Sequence, residues 1–222
     1  RIVPIRYCRD FSATVRRSLR ERYRKHLKAR CRRASIRLMS TTLIEVRRAK
    51  ANDAVSVAGT HDEAWRNAYR GIIPDSFLAG LSAEQRAAGW KSVIEKDPGS
   101  VLVHEKHGAI VGWVAVGKSR DGIEGAGELF AIYVDPACWR QGCGRQLMEA
   151  AEATLWARGH RFCLLWVLEK NLPARAFYRR LGYVEDGGRK SESIGGVELT
   201  EIRVAKARPS QATETDVKAA LP

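Results

Sequence analysis

The hydrophobic and polar positions of the chain switch repeatedly between a two-residue and a three-to-four-residue period. Residues 42–48 set Leu43, Glu45 and Arg47 against Thr42, Ile44 and Val46, the alternation of a strand with one wet face. Asp53 is then placed to cap a helix in which Val55, Ala58, His61, Ala64, Trp65 and Ala68 recur at helical spacing. His61 and Trp65 read there as packing residues. Gly71 and Pro74, in the run GIIPDSFLAGLS, break that helix. Residues 82–96 predict a second amphipathic helix, with Ser82 and Gln85 in the capping-box positions. Residues 100–105 and 109–117 predict two strands in an antiparallel hairpin, because Gly108 in the Lys106-His107-Gly108 turn can take a positive φ. His104 before that turn and His107 within it have no third ligand spaced for a metal and read as surface residues.

The pattern is strongest over residues 128–147, ELFAIYVDPACWRQGCGRQL. Residues 129–134 are apolar, aromatic and β-branched, as suits a mostly buried strand, and Pro136 stops it. Beyond Trp139, Leu147, Met148, Ala151 and Leu155 return at three- and four-residue steps, so the intervening loop feeds a helix N-terminus. The first N–H groups of a helix lack partners within it and its dipole makes that end partly positive. Gly142 and Gly144 remove Cβ atoms that would keep a ligand off the backbone, and Arg140 and Arg145 add full charge. The natural guest is a phosphate or pyrophosphate, although a tight strand-to-helix turn that binds nothing would use the same glycines. A dinucleotide fingerprint fails because position 147 is Leu, and a P-loop fails because Arg145 and Gln146 follow Gly144.

Residues 161–168, RFCLLWVL, form a short apolar strand between two helical stretches, suited to lie parallel to 129–134. Asn171 is an N-cap ahead of Pro173, Phe177 and Tyr178 follow on that helix, and Gly182 ends it. Residues 182–189 and 197–205 predict two last strands around SESIGG.

The run VDPACWRQGCGRQLMEAAE, with the later NLPARAFYRRLGY, closely resembles the acetyl-CoA-binding core of the GNAT superfamily of N-acetyltransferases. The likeness extends more weakly from about Leu43 to about Val204. The resemblance implies a mixed α/β sheet, antiparallel in its N-terminal half, with a central splayed parallel strand pair that admits the pantetheine arm. It implies direct acetyl transfer from acetyl-CoA, a co-substrate, to a primary amine of a small molecule or protein, with no metal. Ile132, Tyr133 and Val134 would then supply backbone amides to the cofactor and its thioester carbonyl. Arg140, Gln141, Gly142, Cys143, Gly144 and Arg145 would hold the pyrophosphate, and Asn171, Ala174 and Phe177 would complete the cofactor site. Trp139 stands where the family usually has Arg or Gln; Arg140 and Gln141 can supply those polar contacts. Tyr178 is the implied acid toward the CoA sulfur, since a thiolate leaves more readily when a phenol protonates it. Glu128 is the implied base, because an amine is protonated at neutral pH and must lose a proton; its other reading is an exposed strand-edge carboxylate. By the same resemblance Trp65, Tyr69, Ile72 and Phe77 shape acceptor choice, or else simply pack a helix corner.

Composition sets outer limits. A chain of 222 residues, 45% hydrophobic, is long enough for one substantial core. No apolar stretch approaches the ~20 residues of a membrane span. The five cysteines, Cys8, Cys31, Cys138, Cys143 and Cys163, are odd in number and lack zinc spacing, so reduced thiols in a cytoplasmic protein are the plain reading. Cys143 could serve as a nucleophile, but no neighbouring His or acid supports that role, so it reads as a small side chain the loop tolerates. The net charge of +14 is uneven: residues 1–38 hold twelve Arg and two Lys against Asp10 and Glu21, and the remaining 184 residues are nearly balanced. That segment reads as a disordered or non-native extension, a transit-peptide-like leader, or a basic arm for nucleic acid. Nucleic acid is a partner only if the arm is native. The expected domain is residues 39–207, followed by a disordered tail, 208–222, and a homodimer is compatible with it. The acceptor is not legible, and a CoA-binding regulatory protein using the basic arm is the alternative reading.

Overall fold

The computed structural model describes residues 44–209. The expectations for the basic segment 1–38 and for the tail from residue 210 onward lie outside the described residues. One seven-stranded mixed sheet runs in the order β1-β2-β3-β4-β5-β7-β6. Its strands are β1 (Ile44–Arg48), β2 (Val101–Lys106), β3 (Ala109–Lys118), β4 (Ala126–Val134), β5 (Phe162–Leu168), β6 (Val184–Ile194) and β7 (Val197–Ala207). The helices are α1 (Ala54–Ala68), α2 (Asp75–Ala79), α3 (Ala83–Lys96), α4 (Cys143–Ala157) and α5 (Leu172–Arg180). Only β4 and β5 pair in parallel; the other neighbours are antiparallel.

The apolar periods noted above sort the helices onto two faces. Leu147, Met148, Ala151 and Leu155 of α4 and Tyr178 of α5 meet Leu129, Leu165, Val167, Ile202 and Val204 on one face. On the other, Val57 and Ala58 of α1 and Trp90 and Ile94 of α3 cover Val101, Val103 and Trp113. His61 lies among these, stacked on Tyr133 with ring centroids 4.7 Å apart and ringed by Trp65, Trp90 and Trp113. Burial holds its imidazole well below its usual pKa, so it is a neutral packing group.

Two features of β4 prepare the site. Its register against β3 jumps from Val116↔Leu129 to Ala115↔Ala131, which makes Phe130 the extra residue of a β-bulge. Its pairing with β5 covers only Ala126↔Phe162 through Leu129↔Leu165. Beyond the bulge β4 runs on to Val134 and β5 to Leu168 without pairing, so the two parallel strands splay and leave a gap.

Three local expectations are corrected. His104 is buried, not on the surface, and its Nε2 meets Gln146 Oε1 at 2.7 Å, because α4 lies over that part of β2. Asp53 makes no side-chain cap to α1; its carboxylate instead accepts from the Lys50 N–H at 2.7 Å and from Arg47 Nη1 at 2.7 Å. The segment SESIGG is mostly strand: Gly195 and Gly196 take φ of 62° and 81°, and that tight left-handed turn lets β6 and β7 run to their full length.

Candidate active site

The loop after β4 is built to present bare amides. Asp135 accepts from the Ala137 N–H, closing a short turn that redirects the chain. Arg140 and Gly142 then both take positive φ, 60° and 86°, and α4 starts directly after Gly142. The first hydrogen bond of that helix runs from the Gln146 N–H to the Gly142 carbonyl, which leaves the N–H groups of Cys143, Gly144 and Arg145 without a helical acceptor. A Cβ placed on Gly142 would meet nothing within 4 Å, so the space above the loop is open. A Cβ on Gly144 would stand 3.4 Å from Phe177 and 3.8 Å from Val134. The loop, the end of β4 and α5 therefore converge at the mouth of the gap.

The side chains predicted around this loop divide. Arg140 is exposed and available to an anion. Gln141 is committed within the protein: its Nε2 donates to the Ala137 carbonyl at 2.8 Å and its Oε1 accepts from Lys106 at 2.9 Å. Arg145 turns along the helix to Glu149 at 2.8 Å. Cys143 is buried. Trp139 donates from Nε1 to the Val134 carbonyl at 2.8 Å, which ties the loop to the end of β4.

Strand alternation decides which groups of β4 face the gap. The Asp135 N–H donates to the Val111 carbonyl, so residues 135 and 133 direct their amides at β3, while Ile132 and Val134 direct theirs toward the gap. The expectation for Tyr133 is corrected accordingly: its amide belongs to the sheet. Its hydroxyl lies 3.4 Å from that of Tyr69. Asn171 caps α5 as expected, its Oδ1 accepting from the Ala174 N–H at 3.2 Å.

Tyr178 is buried on α5 against Phe177 and Tyr183, with ring centroids 5.3 and 6.1 Å away. Burial pushes its hydroxyl above the usual phenol range, and the nearby Tyr133 and Cys163 push it further, so it remains a protonated donor. Glu128 departs from the expected strand-edge carboxylate. It sits in the middle of the sheet between β3 and β5 and is 0% exposed. Its Oε2 accepts from the Arg120 backbone N–H at 2.8 Å, and its Oε1 accepts from the Arg120 guanidinium, Nε at 2.9 Å and Nη2 closer still.

On the wall opposite α4 and α5, sequence reasoning named Trp65, Tyr69, Ile72 and Phe77 but missed the strand residues packed against them. Leu168 and Leu199 pack there with Ile73, Leu78, Trp65, Tyr69 and Phe77, which joins the α1–α2 corner to the β6–β7 hairpin. Trp166 carries Lys190 Nζ 4.3 Å from its ring centroid and donates to Asp121 at 3.1 Å. Glu201 is largely covered and pairs with Lys190 at 3.1 Å. Burial raises its carboxyl above the glutamate range despite that partner. No local signal marks these strand residues; the register of β7 against β5 brings them together, putting Trp166 beside Arg203 and Leu168 beside Glu201.

Among the described residues no helix is long and apolar enough to cross a membrane. The fold resembles an N-acetyltransferase from Staphylococcus aureus, with a TM-score of 0.61 at 16% identity over 74% of this chain and 98% of that one. It also resembles yncA of Salmonella typhimurium, a putative acetyltransferase solved with acetyl-CoA, with a TM-score of 0.58 at 21% identity over 77% and 96%. In sequence it is 33% identical to the uncharacterized N-acetyltransferase YuaI of Bacillus subtilis over 161 residues, 72% of this chain and 91% of that one. Residues 63–183 match the Acetyltransferase (GNAT) family. With the splayed β4–β5 pair and the amide-lined loop on α4, these matches establish that the chain belongs to the GNAT acetyltransferase family and is an acetyl-CoA-dependent N-acetyltransferase.

Proposed function

We propose that the protein moves the acetyl group of acetyl-CoA directly to a primary amine of a small molecule or protein, without a covalent enzyme intermediate. The observation that carries this reading is the gap beyond Leu129↔Leu165, which opens beside the three amides of α4 that have no helical acceptor. In this reading the diphosphate sits against Cys143, Gly144 and Arg145 with Arg140 beside it, and the pantetheine arm enters the gap past Phe177 and the cap formed by Asn171 and Ala174. The Ile132 and Val134 amides face the thioester and stabilise the oxyanion as charge develops on it. The Val134 carbonyl is engaged by Trp139, so its N–H is the group left for the ligand.

Tyr178 then gives its proton to the departing sulfur. A buried phenol held protonated suits that task, because it donates without itself titrating near neutrality. The acceptor amine enters from the opposite wall, where Trp65, Tyr69, Tyr133 and Phe77 offer aromatic faces. The test is a panel of primary amines assayed for thiol release from acetyl-CoA. Amine-dependent release supports the reading; acetyl-CoA binding with no release by any amine, including peptide N-termini, would refute the transfer.

A further inference from the structure

We propose that Glu201 on β7, rather than Glu128 on β4, is the general base that takes the proton from the acceptor amine. The proposal rests on the acetyltransfer reading above and names the residue that performs one of its steps. A base must reach the substrate and must have an oxygen to spare. Glu128 has neither: it is 0% exposed, and both oxygens accept from Arg120. Glu201 has both. Its side chain is 16% exposed, Lys190 Nζ is 3.1 Å from Oε2, and Oε1 accepts no hydrogen bond among the described residues.

Its position suits the step. Glu201 pairs with Leu168, at the end of β5 that lies beyond the last β4 pairing and therefore borders the gap. Paired residues share a face, so Glu201 points to the side carrying Trp166, Tyr69 and Tyr133, opposite to Tyr178 on α5. Neighbouring strands lie about 4.8 Å apart, so β7 stands roughly two spacings from a ligand in the gap, and the Glu201 side chain reaches it across Leu168 through one or two waters. The base and the acid then approach the thioester from the two faces of the sheet.

Lys190 and Glu192 on β6, Arg120 after β3 and the hydroxyls of Tyr69 and Tyr133 set the local field at Glu201. Glu128 and Arg203 belong to the same face; Glu128 is neutralised by Arg120, and Arg203 is held by Asp186 at 2.8 Å and Asp121 at 3.3 Å. Burial dominates the result and holds the Glu201 carboxyl nearer to neutrality than an ordinary glutamate, which brings a base closer to working pH.

The atoms balance as follows. Glu201 takes one proton from the ammonium and releases it to bulk water. The freed lone pair forms the C–N bond, the C–S bond breaks with its electron pair on sulfur, and sulfur takes the Tyr178 proton. The surplus proton on the new amide nitrogen returns through solvent to the Tyr178 oxygen. The net release is one proton per acetyl group.

The experiment compares the full chain with Glu201→Gln and Glu128→Gln, using the best amine of the panel and acetyl-CoA between pH 5 and 9. Glu201→Gln is expected to lower kcat/KM by roughly a hundred- to ten-thousand-fold and to abolish the acidic limb of the profile, while the calorimetric Kd for acetyl-CoA stays within twofold. Glu128→Gln is expected to keep that limb whatever it does to the rate. A second readout needs no acceptor: carboxyl carbon NMR of labelled protein, with the Glu201 signal assigned by its loss in Glu201→Gln, should show that signal titrating above the usual ~4.3 of glutamate. Glu201→Gln with wild-type rate and limb, or a Glu201 signal titrating at or below ~4.3, overturns the assignment and leaves the acetyltransferase reading standing. Failure of wild-type protein to bind acetyl-CoA overturns both.

Discussion

Replacing Tyr178 with Phe removes one oxygen and nothing else, which makes it the sharpest probe of the chemistry. The ring keeps its contacts with Phe177 and Tyr183, 5.3 and 6.1 Å between centroids, and no hydrogen bond from the hydroxyl to another described residue is lost. Folding should therefore change by no more than ~0.5 kcal/mol, about 1–2 °C in Tm for a domain of this size. Turnover should fall much further. Without a donor the sulfur leaves as a bare thiolate, and loss of general-acid assistance costs roughly ten- to a thousand-fold in kcat, or ~1.4–4 kcal/mol of barrier. The assay is thiol release from acetyl-CoA at saturating amine, with calorimetry on the same preparation. Burial holds the Tyr178 proton above the usual phenol range, so wild-type enzyme should show no loss of activity assignable to it below about pH 10. Unchanged kcat in the Phe variant would refute the role of Tyr178 as acid. A parallel loss of acetyl-CoA affinity would show that the hydroxyl binds ligand and does not act on the leaving group.

Two further perturbations test the surroundings. Gly142→Ala places a methyl on a residue at φ 86°, which costs about 1–2 kcal/mol, and sets it in the open space over the loop; Tm should fall by a few degrees and the acetyl-CoA Kd should rise about tenfold, whereas a lowered Tm with unchanged Kd would remove that space from the ligand site. Asp53→Asn tests the Arg47–Asp53–Glu105 cluster: burial raises the Asp53 carboxyl, but Arg47 and the Lys50 N–H outweigh it and leave it below its usual value. A depressed carboxyl stabilises above its unfolded pKa of ~3.9 and loses that contribution as pH falls through the folded value, so urea unfolding should show ~1–2 kcal/mol of lost stability at pH 7 and a vanishing difference near pH 2. A difference that persists at pH 2 would contradict the electrostatic account.

The elements nearest the loop were legible because their signals are local. Pro136, Gly142, Gly144 and the Asn171 cap each act within a few residues, and the helix and strand they bound lie where the periods put them. What could not be read depends on which strand lies beside which. Glu128 appears in sequence as a polar residue at the start of a strand; only the placement of β4 between β3 and β5 buries it and brings Arg120 over it. The splay at Leu129↔Leu165 follows from a bulge whose register is set by β3. Alternation along β7 puts Glu201 on the face opposite to Glu198, but its place beside Leu168 and the aromatic corner is set by the pairing of β7 with β5. His104 was misplaced for the same reason, since its partner Gln146 lies far along the chain.

The most direct measurement is a crystal structure of the full chain grown with acetyl-CoA. The account predicts the diphosphate within hydrogen-bond distance of the Cys143, Gly144 and Arg145 amides, the pantetheine arm between β4 and β5 beyond Leu129, and the sulfur beside the Tyr178 hydroxyl. Acetyl-CoA bound away from that gap, with the α4 amides facing only water, would contradict it.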